Sequence, residues 1–155
     1  MLIAQRFRAT FRQSPGTACH PDSATSPIHR VMITPLQPRR VLVVDDAPLI
    51  REIIARTLRT AGHTIDTATD GQEALAKFRE GKWDLVITDL FMPHMNGEEL
   101  AAAIRAEAPG VPVVLLTGTP TAVRDPSAFL ALLPKPFRGN EILEIIAAIP
   151  CETSA

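Results

Sequence analysis

The chain of 155 residues has two cysteines, no tyrosine and one tryptophan. Cys19 and Cys151 stand near opposite ends and form no CxxC pair. That excludes a disulfide framework and a cysteine-based zinc site, and it suits a reducing compartment. The longest apolar stretches fall far short of the ~18 residues that span a bilayer. A secretory signal is also missing, because the opening MLIAQRF is broken by Gln5 and Arg6. The formal net charge of −1 argues against a strongly basic nucleic-acid binder. No G-x-x-x-x-G-K-[ST] occurs, which removes the P-loop reading of any aspartate at a strand end. No G-x-G-x-x-G follows the first apolar strand, which removes the dinucleotide reading.

What is present divides near residue 40. Residues 1–40 hold six arginines, one acid and five prolines, with no sustained period of 2 or 3.6. Residues 41–155 hold ten bases and 16 acids. The first 38 residues are expected to be a disordered basic tail, with a transit peptide or a basic arm as other readings. Residues 39–150 are expected to form one domain, and 151–155 a short tail.

From residue 40 the pattern alternates. Val41–Val44 is an apolar β-branched run ending in Asp45-Asp46. Ala47–Ala61 carries a helical stripe, with Asp46 as its expected cap, Pro48 in its first turn and Gly62 as its stop. Thr64–Thr69 predicts a second strand. Asp70 and Glu73 predict a capping box for a helix running to Gly81. Asp84–Asp89 predicts a third strand, Glu98–Ala108 a helix, Val111–Leu116 a fourth strand, Leu130–Leu133 a fifth and Glu141–Ile149 a last helix. The fold class is therefore α/β, a doubly wound five-stranded parallel sheet. Ligands in such folds bind beyond the carboxyl ends of the strands. Asp45, Asp46, Asp89, Thr117 and Lys135 all fall there.

Converging carboxylates repel one another and call for a cation. Oxygen-only ligands favour Mg2+, which partners phosphate readily. A lysine and a threonine hydroxyl can hold phosphoryl oxygens, and a free aspartate can attack phosphorus to form an acyl phosphate. Taken singly, each residue has a plainer explanation: a helix cap for Asp46, a turn for Thr117, a solvated charge for Lys135. Their joint placement favours the chemistry.

VLVVDD, DLFMPHMNGEEL, VVLLTG and LLPKPF, in that order, resemble the receiver domain of two-component response regulators, a flavodoxin-like fold, from about Arg40 to Ile149. The resemblance implies that Asp89 is the phosphoacceptor, Thr117 the switch hydroxyl and Lys135 the phosphate-binding lysine. It implies Mg2+ held by Asp45, Asp46, Asp89 and the Phe91 carbonyl, and a cis Lys135–Pro136 bond. A cytoplasmic sensor histidine kinase or histidine phosphotransfer protein would be the donor. Output would be binding of a downstream protein or passage of the phosphate onward, without nucleic acid or membrane, since only Pro150–Ala155 follow the last helix. Slow autodephosphorylation would be the limit of any enzymatic activity.

Two departures stand out. Leu132 occupies the position, three before the lysine, where the family usually has Tyr or Phe. Only 17 residues separate Thr117 from Lys135, with Pro120 and Pro126 among them. A fourth helix there is expected to be short or mobile, around Thr121–Phe129. A haloacid dehalogenase-type phosphatase is the enzymatic alternative, but it wants D-x-D where Asp45 and Asp46 are adjacent. A phosphorylation-independent receiver-like module is the other.

Overall fold

The computed structural model describes residues 37–150. Both cysteines and nearly all of the expected tail therefore lie outside the described residues. Five strands form one sheet: β1 (Arg40–Val44), β2 (Thr64–Ala68), β3 (Leu85–Asp89), β4 (Val113–Thr117) and β5 (Ala131–Pro134). All neighbours are parallel, in the order β2-β1-β3-β4-β5. Among the described residues four helices connect or follow them: α1 (Pro48–Thr60), α2 (Gly71–Glu80), α3 (Gly97–Glu107) and α4 (Gly139–Ala148).

Strand side chains alternate between two cores, and both are apolar, which explains the unbroken hydrophobic runs. Val41 and Val43 join Ile87, Leu116, Ile54 and Leu58 of α1, and Ile142 and Ile146 of α4. Leu42 and Val44 join Val86, Leu115, Phe78 of α2, and Leu100 and Ile104 of α3. The central strand residues Val41, Leu42 and Val43 are fully buried. Burial at this level stabilises by roughly 1.5–3 kcal/mol per large side chain.

Gly62 ends α1 as expected. Its φ of 93° is in the left-handed region. The Gly62 N–H donates to Arg59 and the His63 N–H to Leu58, which satisfies carbonyls that a helix end leaves open. The expected Asp46 cap is not made. Ala47 is the N-cap residue, and its own N–H donates to Asp45 Oδ1 at 2.9 Å. Asp70 caps α2 through the Glu73 N–H, but the Glu73 carboxylate turns to Thr69 N–H and Oγ, so the box is half formed. α3 has the full reciprocal box between Asn96 and Glu99.

Boundaries shift elsewhere. β4 starts at Val113, because Val111 N–H turns back to Ala108 and Pro112 has no N–H to offer a ladder. β5 is displaced by one residue from the expected run, leaving Leu130 half exposed. α4 begins earlier, at Gly139, with Arg138 N–H donating to Glu141 Oε2.

Between β4 and β5 no α-helix forms among the described residues. Two single-turn 3-10 segments, Pro120–Ala122 and Pro126–Ala128, take its place. Each opens on a proline, which starts a turn but cannot sit inside an ongoing helix. The expected shortening is therefore found.

Candidate phosphoryl-transfer site

The order β2-β1-β3 reverses direction between β1 and β3. Asp45 and Asp46 follow β1, and Asp89 is the last residue of β3, so the acids meet at the switch point. Oxygen atoms of all three carboxylates lie within 4.8 Å of one another.

Asp45 is fully buried, and each of its polar atoms has a partner. Its N–H donates to Ala68 O, and its Oδ1 accepts from Ala47 N–H. Its Oδ2 accepts from Lys135 Nζ at 3.0 Å, and its carbonyl accepts from Arg51 Nη1 at 2.6 Å. Asp46 is exposed. Lys135 reaches across from the end of β5 and also pairs with Asp89 Oδ1 at 3.1 Å. The Lys135 N–H donates to the Thr117 carbonyl at 2.8 Å, which ties the lysine to the end of β4. The Lys135–Pro136 peptide is cis.

Thr117 is buried, and its Oγ accepts from Thr119 N–H at 3.0 Å. Thus the hydroxyl sits at the strand end but is engaged in its own turn. Phe91, two residues past Asp89, projects into solvent with 61% of its surface exposed. Leu132 packs on the α2/α3 side of the sheet.

The electrostatics are unbalanced. Burial pushes the Asp89 carboxyl above the usual carboxylate range; Lys135 opposes this, while the Asp45 charge adds to it. Burial pulls the Lys135 ammonium down, but its bonds to Asp45 and Asp89 outweigh that and raise it. The Lys135 ammonium thus pairs with Asp45 and Asp89 in a cluster of three carboxylates. A hard divalent cation bound by oxygen fits this excess of negative charge and this spacing.

Gly97 fixes the floor. Its N–H donates to Leu90 O at 2.9 Å, and a Cβ there would strike the Asp89 carbonyl oxygen. Only glycine allows α3 to start so close to the end of β3. Two further charged residues, Arg51 and Glu98, hold backbone groups at this edge of the sheet. Glu98 Oε1 accepts from the N–H groups of Arg124 and Asp125, holding the β4–β5 connection against α3. In the sequence these two residues stand out only as charges in the first turns of helices that start at the carboxyl edge of the sheet.

Residues 41–147 match the family described as response regulator receiver domain. The chain belongs to that family. It is similar to TcrX of Mycobacterium tuberculosis, a probable transcriptional regulatory protein, at 39% identity over 118 residues, 73% of this chain and 50% of the relative. Among solved structures it is similar to the response regulator TrrA of Thermotoga maritima, crystallised in complex with Mg(2+)-BeF. That match has 42% identity and a TM-score of 0.64, and covers 68% of this chain and 94% of that one. Chemotaxis response regulator CheY4 of Vibrio cholerae matches at 35% identity and TM-score 0.63, over 69% and 94% of the two chains. The receiver chain spans about half the length of the curated relatives it matches.

Proposed function

We propose that this receiver domain accepts a phosphoryl group on Asp89 and acts as a switch in a two-component phosphorelay. The observation that carries the proposal is the convergence of Asp45, Asp46 and Asp89 within 4.8 Å with Lys135 bridging Asp45 and Asp89. A phosphorylation-independent module would have no use for this costly cluster of charge.

The residues divide the work as follows. An Asp89 carboxylate oxygen attacks phosphorus and becomes part of an acyl phosphate, while the donor histidine keeps the bonding electron pair of the broken P–N bond. Lys135, already 3.1 Å from Asp89, stays as a point charge for a phosphoryl oxygen. Thr117, whose oxygen accepts from Thr119 N–H and leaves its own proton free, donates its hydroxyl to another. Asp45, Asp46, Asp89 and the Phe91 carbonyl would hold Mg2+, which supplies charge neutralisation for the phosphoryl oxygens when bound.

The donor is a sensor histidine kinase or a histidine phosphotransfer protein in the cytoplasm. The readout is a protein partner or onward transfer of the phosphate. For residues 37–150 we propose no direct contact with nucleic acid, because the site and the surrounding acid excess repel phosphate chains. The acyl phosphate decays slowly by itself, because the apolar Phe91 side chain cannot orient a water by hydrogen bonding.

Incubation with phosphoramidate or acetyl phosphate plus Mg2+ tests this by intact mass. One phosphate should be added to wild type and none to Asp89→Asn. An unmodified wild type, or an equal adduct on the variant, refutes the assignment.

A further inference from the structure

We infer that Arg51 is a positioning residue for the cation-binding edge of the site. It keeps the turn between β1 and α1 in the shape that lets Asp45 and Asp46 face Asp89. The inference rests on the function proposed above and adds a residue to it.

The turn needs such a support. The N-cap of α1 is Ala47, whose methyl cannot accept a hydrogen bond, and no acid stands in the first turn of the helix. The two site acids lie immediately before this bare end. Asp45 is fully buried, so an unpaired carbonyl at that position would cost free energy comparable to a lost hydrogen bond. Arg51 lies further along α1, and side chains on a helix lean toward its N-terminus. Its guanidinium reaches back and donates Nη1 to the Asp45 carbonyl at 2.6 Å. The bond is charge-assisted and short. Arg51 N–H also donates to Ala47 O at 3.0 Å, so one residue is tied to both ends of the turn. Lys135 and Ala47 N–H fix the Asp45 carboxylate from the other side. Asp46, exposed beside this clamp, takes its direction from the backbone that Arg51 holds.

A competing role is purely electrostatic. Arg51 is a cation close to an acid cluster, and as a mere charge it would weaken binding of a divalent ion. Removing it would then tighten binding. The positioning role predicts the opposite sign, so the sign of the effect separates the two.

The experiment is calorimetric titration of the full chain with Mg2+, alongside the Mg2+ concentration for half-maximal phosphorylation by phosphoramidate. Arg51→Met keeps length and packing but loses the donor. It should weaken Mg2+ roughly tenfold, as loss of an orienting partner does. Arg51→Lys keeps a donor and the charge, and should recover to within about threefold of wild type on the same scale. Melting in EDTA reports any merely structural contribution, and the Mg2+ affinity is read separately from it. Wild-type affinity or tighter binding in Arg51→Met overturns the role, as does an Arg51→Lys no better than Arg51→Met. A wild type that does not bind Mg2+, or an Asp46→Asn variant that binds equally well, overturns the underlying site reading instead.

Discussion

Replacing Gly97 by alanine sets two physical effects against each other. Gly97 is the first residue of α3, and alanine in a helix is ordinarily better than glycine by about 0.5–1 kcal/mol. Here the new methyl would strike the Asp89 carbonyl oxygen, and would lie 3.1 Å from Leu115 Cδ1 and 3.2 Å from the Asp89 carbonyl carbon. The leucine can swing, but the Asp89 backbone is held in register with Leu116 of β4 and cannot yield without moving the site. Forcing a methyl into a packed interior costs about 1–3 kcal/mol, more than the propensity gain. At about 4 °C or more per kcal/mol for a domain of this size, the melting temperature should fall by several degrees. Gly110→Ala is the control, since a Cβ there meets nothing within 4 Å. It should stay within about 0.5 kcal/mol of wild type. Chemical denaturation measures both variants, and phosphorylation by phosphoramidate reads the site. Misplacement of Asp89 by about 1 Å would slow labelling by as much as ~100-fold. Gly97→Ala as stable as wild type, or more stable, would refute the close-approach argument.

Three further outcomes are expected. Lys135→Met leaves Asp45 and Asp89 without their shared cation; melting in EDTA should show a loss of about 1–3 kcal/mol, partly restored by Mg2+, with labelling of Asp89 strongly reduced. His63 is buried, and burial first, then the Arg39 charge, hold its imidazole below the ordinary range. The unfolded chain therefore binds the proton more readily, so stability is full above about pH 6.5 and falls below it by up to ~1.4 kcal/mol per pH unit. Denaturation at pH 7.5 and 5.5 should show a flatter dependence in His63→Phe, and an identical slope would contradict the assignment. Phe91→Asn, which supplies a polar group beside the acyl phosphate, should shorten its lifetime in a decay assay; an unchanged half-life would show that Phe91 does not govern attack by water.

The parts of this domain that were legible in the sequence are those fixed by side-chain type. Val41–Val44 has the apolar, β-branched pattern of a strand buried on both faces, and Asp45, Asp46, Asp89, Thr117 and Lys135 are polar residues placed where such strands stop. The parts that were not legible depend on which of several adequate partners wins. Asp46 is a good cap residue, yet the Ala47 N–H goes to Asp45, whose carboxylate is already held in place by Lys135. Glu73 could have closed its box on Asp70 N–H, but Thr69 offers two donors and the exchange favours it. Arg51 and Glu98 look like solvated helix charges until the β1–α1 turn places the Asp45 carbonyl beside one and the tertiary fold brings the Arg124 amide to the other.

The shortened connection between β4 and β5 raises the question of what covers the sheet where a helix is lacking. Val123, Ala128 and Leu132 pack against the α2/α3-side core, and Phe129 is itself buried in it. Apolar closure is therefore kept without a helix. The backbone groups that a helix would have paired internally still need partners. α3 supplies some of them: Glu98 accepts from Arg124 and Asp125 N–H, and Arg105 donates to Ser127 O. Asp125 itself accepts from Ser127 N–H at the start of the second 3-10 turn. The connection is thus held by α3, the helix whose first residue abuts the Asp89 carbonyl. The bond from Gly97 N–H to the carbonyl of Leu90, next to Asp89, and the bonds from Arg124 and Asp125 N–H to Glu98 thus join the end of β3 to the β4–β5 connection.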